Sequence, residues 1–158
     1  MLDLKKALTS SLKGVKKLAI LGVGSELRGD DIAGMVAAEI ILKANRKNVA
    51  VFLGATAPEN FTGEIKKFKP SHLLIIDAAD TSAKPGTIDL ISPEIVGGVS
   101  FSTHMMPLKI MVDYIRNSIK CETWIVGIQP KVLKFGSRPS KIVIASAKEV
   151  AEAILSVI

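Results

Sequence analysis

The stretch from Lys17 to Gly34, Lys-Leu-Ala-Ile-Leu-Gly-Val-Gly-Ser-Glu-Leu-Arg-Gly-Asp-Asp-Ile-Ala-Gly, narrows the folds open to this chain more than any other. Leu18 to Val23 is a short apolar run that ends among glycines, the pattern of a buried strand breaking into a loop. The loop runs from Gly24 to Asp30. Beyond it, Ile32, Val36, Ile40 and Ile41 recur at helical spacing, and Asp30 and Asp31 stand where that helix begins. An Asp at such a position ordinarily caps the helix or complements its dipole. For Asp30 that role and one of orienting its neighbour are both open. Asp31, a carboxylate beyond the carboxyl end of a strand and expected on an exposed loop, is a candidate for function.

A strand, a glycine loop and a helix in this order also suggest a dinucleotide fingerprint and a nucleotide-binding α/β protein, but the spacing disfavours that reading. Gly22 and Gly24 supply the first two glycines, the third position holds Leu27, and the next glycine comes only at Gly29. The acid expected after the second strand is absent, because Phe52, Leu53, Gly54 and Ala55 occupy that region. Acids at the helix start would also repel a pyrophosphate, which prefers the bare positive end of the dipole. A cation suits this loop better than a nucleotide.

The remaining chain repeats the alternation. Asn48 to Leu53 predicts a second strand; Pro58 opens a helix that continues to Phe68 and is ended by Lys69-Pro70-Ser71. His72-Leu-Leu-Ile-Ile-Asp77 is an apolar run without solvent-facing alternation, as a parallel strand covered on both faces requires. Asp77 is expected to close that strand, where a buried charge needs a partner and where open α/β sheets bind ligands. His72, at its other end, is expected to be an exposed loop residue. Thr87 to Ile91 alternates like an edge strand, and Pro93 to Val99 is irregular. Leu108, Met111, Val112 and Ile115 mark one face of a helix entered through Phe101-Ser-Thr-His104-Met-Met-Pro-Leu108, which puts His104 in a loop-to-helix setting like that of Asp31. Cys121 to Ile128 is a strand, Lys131 to Phe135 a candidate short edge segment, and Ser140 begins a final amphipathic helix. The fold class is therefore α/β, a three-layer α/β/α sandwich with a mostly parallel twisted sheet.

With 158 residues, 48% of them hydrophobic, the chain suffices for a single domain over residues 1–158. No apolar run approaches the roughly 20 residues of a membrane span. Met1 to Lys17 interleaves leucines with lysines and predicts a short helix ended by Gly14 rather than a signal peptide, which points to the cytoplasm. Cys121 is the only cysteine, so neither an internal disulfide nor a thiolate cluster can form; it suits a small residue at a strand start. The net charge of +6 comes from scattered bases that aromatic residues do not accompany, so no nucleic-acid partner is expected.

Three loops thus each present one possible ligand: Asp31, Asp77 and His104. Two carboxylates and an imidazole suit a divalent cation such as nickel, zinc or iron with coordination positions left open. Together, Gly22-Val-Gly-Ser-Glu-Leu-Arg-Gly-Asp-Asp31-Ile-Ala-Gly34, Leu74-Ile-Ile-Asp77-Ala78, Ser102-Thr-His104-Met-Met-Pro-Leu108 and Gly127-Ile-Gln-Pro130 resemble the motifs of the hydrogenase maturation endopeptidases, in the right order, from about Lys17 to the end of the chain. The Ala57-Pro-Glu-Asn60 loop and the His-Met-Met-Pro-Leu segment look most like the branch serving formate hydrogenlyase and related membrane-bound hydrogenases.

The resemblance implies a cytoplasmic, monomeric endopeptidase that removes the C-terminal extension of a [NiFe]-hydrogenase large-subunit precursor after nickel insertion. It also implies that Asp31, Asp77 and His104 are both the catalytic residues and the ligands of nickel. That nickel belongs to the substrate, so little metal is expected in the isolated enzyme. The ion would polarise the scissile carbonyl or activate a water while a carboxylate takes the proton. Ser25 and Ser102 are expected to be structural. Many members of the family carry an acid after the second strand where this chain has Phe-Leu-Gly-Ala-Thr; Glu59 is a partial replacement. The alternative is a non-enzymatic, metal-sensing or chaperone-like module that docks a nickel-loaded precursor, and the motifs alone do not separate the two.

Overall fold

Every residue from Leu18 to Val23 is buried, as an uninterrupted apolar run requires, and the segment forms β1 of a computed structural model that describes residues 2–101 and 107–158. It is preceded by α1 (Leu2–Ser11), which ends near Gly14, a glycine with φ +75°. The helix predicted after β1 begins with a 3-10 turn, Gly29–Ile32, and continues as α2 (Ala33–Ala44). Then follow β2 (Val49–Ala55), a second 3-10 turn (Pro58–Phe61), α3 (Thr62–Phe68), β3 (His72–Asp80) and β4 (Ile88–Ile91). The chain closes with β5 (Ser100–Phe101), α4 (Leu108–Ser118), β6 (Glu122–Ile128) and α5 (Lys141–Leu155).

The sheet order is β2-β1-β3-β6-β4, with β5 added to the end of β3. β1, β2, β3 and β6 run parallel, while β4 pairs antiparallel with β6 as the alternating edge strand. Alternate residues of the central strands feed two cores, as period-two geometry demands. Ile20, Leu74, Ile76, Val126 and Ile128 pack against α1, α2 and α5. Ala19, Leu21, Leu73, Ile75 and Ile125 pack against α3 and α4, where Leu108, Met111, Val112 and Ile115 are the buried face of α4. Three layers result, as the alternation of strands and helices predicts.

The chain leaves β1 toward β2 on one side and returns through α3 to β3 on the other side of β1. A switch point therefore lies between β1 and β3, and in open α/β sheets the crevice at that point is where ligands bind. Two glycines let α2 and its entering turn close over it. A Cβ on Gly34 would stand 2.0 Å from the Ile76 carbonyl oxygen and 2.4 Å from that of Val23, so only glycine lets the first turn of α2 rest on the end of β1 and the middle of β3. Gly24, at φ +140°, would drive a Cβ to 1.7 Å from the Asp31 carbonyl oxygen. The glycines of this loop thus serve close packing of backbone on backbone.

Three local expectations are corrected. β3 continues three residues past Asp77, because Ala79 and Asp80 pair antiparallel with Phe101 and Ser100; Asp77 lies inside the strand, opposite Gly127. His72 is buried, since the turn after α1 covers that end of the sheet: the Lys13 backbone and Ser71 Oγ, 3.0 Å from His72 Nδ1, both meet the ring. Residues 131–135 form no edge strand, because their backbone groups bond to the turn around Asp30 instead.

Candidate active site

Asp31 sits in the 3-10 turn that links β1 to α2, and the turn packs against β3. Its Oδ2 accepts a hydrogen bond from the Ser25 N–H at 3.1 Å, and Arg28 Nη1 lies 3.8 Å from the same oxygen. The expectation of an exposed loop fails here: Asp31 is fully buried, because the 24–28 loop folds back over the turn. Ser25 Oγ accepts from the Leu27 N–H at 3.1 Å.

Asp77, equally buried, comes from the middle of β3, the strand on the other side of the switch point. Its Oδ1 accepts from the Ala78 N–H at 2.8 Å. Each carboxylate therefore has one oxygen fixed by backbone, and the two share the carboxyl edge of the sheet between β1 and β3. The third predicted residue, His104, lies outside the described residues, as do Ser102 and Thr103. Among the described residues, no group of three His, Cys, Asp or Glu side chains is placed to hold a metal ion.

Asp30 makes no side-chain cap to its own helix. Its carboxylate accepts from the backbone N–H groups of Lys131, Val132 and Ser140 and from Ser140 Oγ, at 2.5–2.9 Å. The Asp30 N–H donates to the Val132 carbonyl at 2.8 Å, and the Gly136 N–H to that of Leu27, also at 2.8 Å. A buried carboxylate held by four donors is a charge-assisted staple. It ties the 131–140 segment and the start of α5 to the turn that carries Asp31. The spare hydroxyl of Ser140, on a helix-entry residue, was the one sequence signal for it.

Gln129, in the last motif, has a comparable role. Its Oε1 accepts from the Thr81 N–H at 2.8 Å and its Nε2 donates to Asp80 Oδ1 at 3.2 Å, so it joins the exits of β6 and β3. The Ser82 N–H and Gln129 together lower the pKa of Asp80 below the ordinary carboxylate value. Glu59 lines a groove with Thr62 and with Ile110, Met111 and Tyr114 of α4. A separate groove of about 350 Å³ runs along the 24–27 loop between Leu27, Met35 and the end of β2 at Ala55 and Thr56. It reaches the outer side of the same sheet edge.

Fold and geometry together define a three-layer α/β/α protein with two buried carboxylates, Asp31 and Asp77, at the sheet edge beside its switch point. The family profile described as HycI, hydrogenase maturation protease, matches residues 36–157. A Methanocaldococcus jannaschii protein assigned as a hydrogenase maturation protease is 38% identical over 140 residues, covering 84% of this chain and 83% of that one. The Escherichia coli K12 hydrogenase 3 maturation protease is 38% identical over 117 residues, covering 73% and 74%. The crystal structure of the [NiFe] hydrogenase maturation protease HycI from Thermococcus kodakarensis superposes with a TM-score of 0.88 at 28% identity, over 96% of this chain and 97% of that one. The chain belongs to the hydrogenase maturation protease family, and it is accordingly a hydrolase, an endopeptidase. Membership sets aside the non-enzymatic alternative. Among the described residues, no helix is long and apolar enough to cross a membrane.

Proposed function

We propose that this endopeptidase removes the C-terminal extension of a [NiFe]-hydrogenase large-subunit precursor once nickel is in place, acting as a cytoplasmic monomer. Asp31, Asp77 and His104 engage the nickel that the precursor carries. The observation that supports this reading is that two fully buried carboxylates, from different elements, both stand at the sheet edge beside its switch point. Burying a carboxylate is costly unless partners stabilise it, and two carboxylates alone are an incomplete ligand set for an ion. Carboxylate oxygens with one side fixed by the Ser25 and Ala78 N–H groups offer preset directions to an ion whose other ligands the substrate supplies.

Nickel bound there polarises the scissile carbonyl or lowers the pKa of a water. The chain's own contribution is to hold the precursor's ion, and with it the neighbouring peptide bond, at a fixed place. A carboxylate at the same edge takes the proton of the attacking water, which then passes to the leaving amine as the C–N bond breaks. Because the decisive contact is with the ion, a precursor lacking it binds without being cut, and nickel insertion is proofread.

The test is incubation of purified protein with candidate precursors, with and without nickel, read by gel mobility and by the mass of the released peptide. Cleavage of the loaded precursor alone is expected, with loss of more than about a hundredfold in rate for Asp31→Asn and Asp77→Asn. Equal cleavage of nickel-free precursor, or full activity in both variants, would overturn the proposal.

A further inference from the structure

Arg28 stands three residues before Asp31, and its Nη1 is 3.8 Å from Asp31 Oδ2, within ion-pair range but too far for a hydrogen bond. That nitrogen is buried and has no hydrogen-bond acceptor. The side chain as a whole is 30% exposed, against 1% for that of Asp31, so the guanidinium borders solvent on one side and the carboxylate on the other. A buried N–H without an acceptor costs free energy, and a long arginine side chain next to water has an easy way to avoid that cost by turning outward. It stays because the charge of Asp31 attracts it. Arginine does not lose its proton, so a fixed positive charge accompanies this carboxylate at every ordinary pH.

We infer that Arg28 is a resident countercation of Asp31, filling the electrostatic place of the metal in the isolated enzyme and yielding it to an ion that the precursor delivers. The inference rests on the reading of Asp31 as a nickel ligand given above. Its consequence is selectivity. A dissolved divalent ion must displace Arg28 and bind an incomplete ligand set, whereas an ion already held by the precursor brings its other ligands and the docking contacts of a whole protein. The absence of a hydrogen bond to Nη1 makes the displacement cheap, because no directional contact is broken.

The test is calorimetric titration of the full chain with NiCl2, with no precursor present. A unit charge and a divalent ion about 8 Å apart interact by about 1 kcal/mol even at the dielectric constant of water, roughly sixfold in affinity, and more strongly when closer. Arg28→Met is therefore expected to bind Ni2+ at least about sixfold more tightly than the unaltered chain. Arg28→Lys, which keeps the charge, should bind as the unaltered chain does, and Arg28→Met with Asp31→Asn should lose the gain. In cleavage assays on loaded precursor, Arg28→Met should be inhibited at correspondingly lower free Ni2+. Should the Met variant not melt like the unaltered chain by circular dichroism, Arg28→Gln takes its place. Equal Ni2+ affinity with and without Arg28, while Asp31→Asn still weakens binding, would overturn the countercation role and leave the ligand reading intact. Ni2+ binding indifferent to Asp31→Asn in every background would overturn that reading, and this inference with it.

Discussion

Replacing Asp30 by Ala removes the acceptor for four donors at once, three of them backbone N–H groups of residues 131, 132 and 140. Hydrogen bonds to a charged acceptor contribute about 1.5–3 kcal/mol each, so a simple sum would be roughly 6–12 kcal/mol. Desolvating the carboxylate offsets much of that, and removing one partner of a buried charged contact costs about 3–5 kcal/mol in practice. The donors are only part-buried and water can reach them once the carboxylate is gone, which selects the low end, about 3 kcal/mol. At about 2–4 °C per kcal/mol for a chain of this size, the melting temperature should fall by roughly 6–12 °C. Asp30→Asn keeps one acceptor oxygen and should lose about half as much, and Ser140→Ala, which deletes one of the four bonds, about 1 kcal/mol. Thermal melts followed by circular dichroism give the ranking. Trypsin gives the location: Lys131 and Lys134 are exposed in the stapled segment, and cleavage after them should speed up in Asp30→Ala before the rest of the fold opens. A shift under about 2 °C, or a loss in Ser140→Ala as large as in Asp30→Ala, would refute the staple.

Burial holds the His72 imidazole below its ordinary pKa of 6.5, so the unfolded chain takes up the proton first. Its stabilising effect is complete above that value and declines as pH falls below it; urea unfolding between pH 7.5 and 5 should show a slope that His72→Gln flattens, and an unchanged slope would count against burial as the cause. Burial also pushes the Cys121 thiol up to about 11, so at pH 8 iodoacetamide should alkylate the folded protein roughly a hundredfold more slowly than the urea-unfolded chain. Gly34→Ala sets a methyl group against two backbone carbonyls that cannot yield, so it should cost about 3 kcal/mol or more in urea unfolding and displace the Asp31 turn; an unchanged midpoint would show that α2 need not sit so close.

Residue pattern alone determined most of the strands and helices and the faces they bury, though not β5 or the irregular course of residues 131–135. The unbroken apolar runs at 18–23 and 72–77 could only be strands covered on both sides, and the spacing of Leu108, Met111, Val112 and Ile115 marked the buried face of α4. Periodicity reports such features because it records, residue by residue, which side meets solvent. The motifs around Asp31 and Asp77 were legible too, since strand-exit loops follow directly from the strands.

What only the tertiary structure decided involves groups distant along the chain. The strand order, and hence the switch point between β1 and β3 that sets Asp31 and Asp77 on one edge, has no signature in local periodicity. Asp30 and Asp31 are adjacent and chemically identical, yet one staples donors 101–110 residues away and the other lies beside Arg28 near the switch point. β3 outran its apolar run because β5 came to pair with its end, and His72 was buried by a turn that belongs to α1. A carboxylate or an imidazole satisfies itself with whatever partner folding brings within about 3 Å, and that partner is chosen by the packing of whole layers rather than by its sequence neighbours.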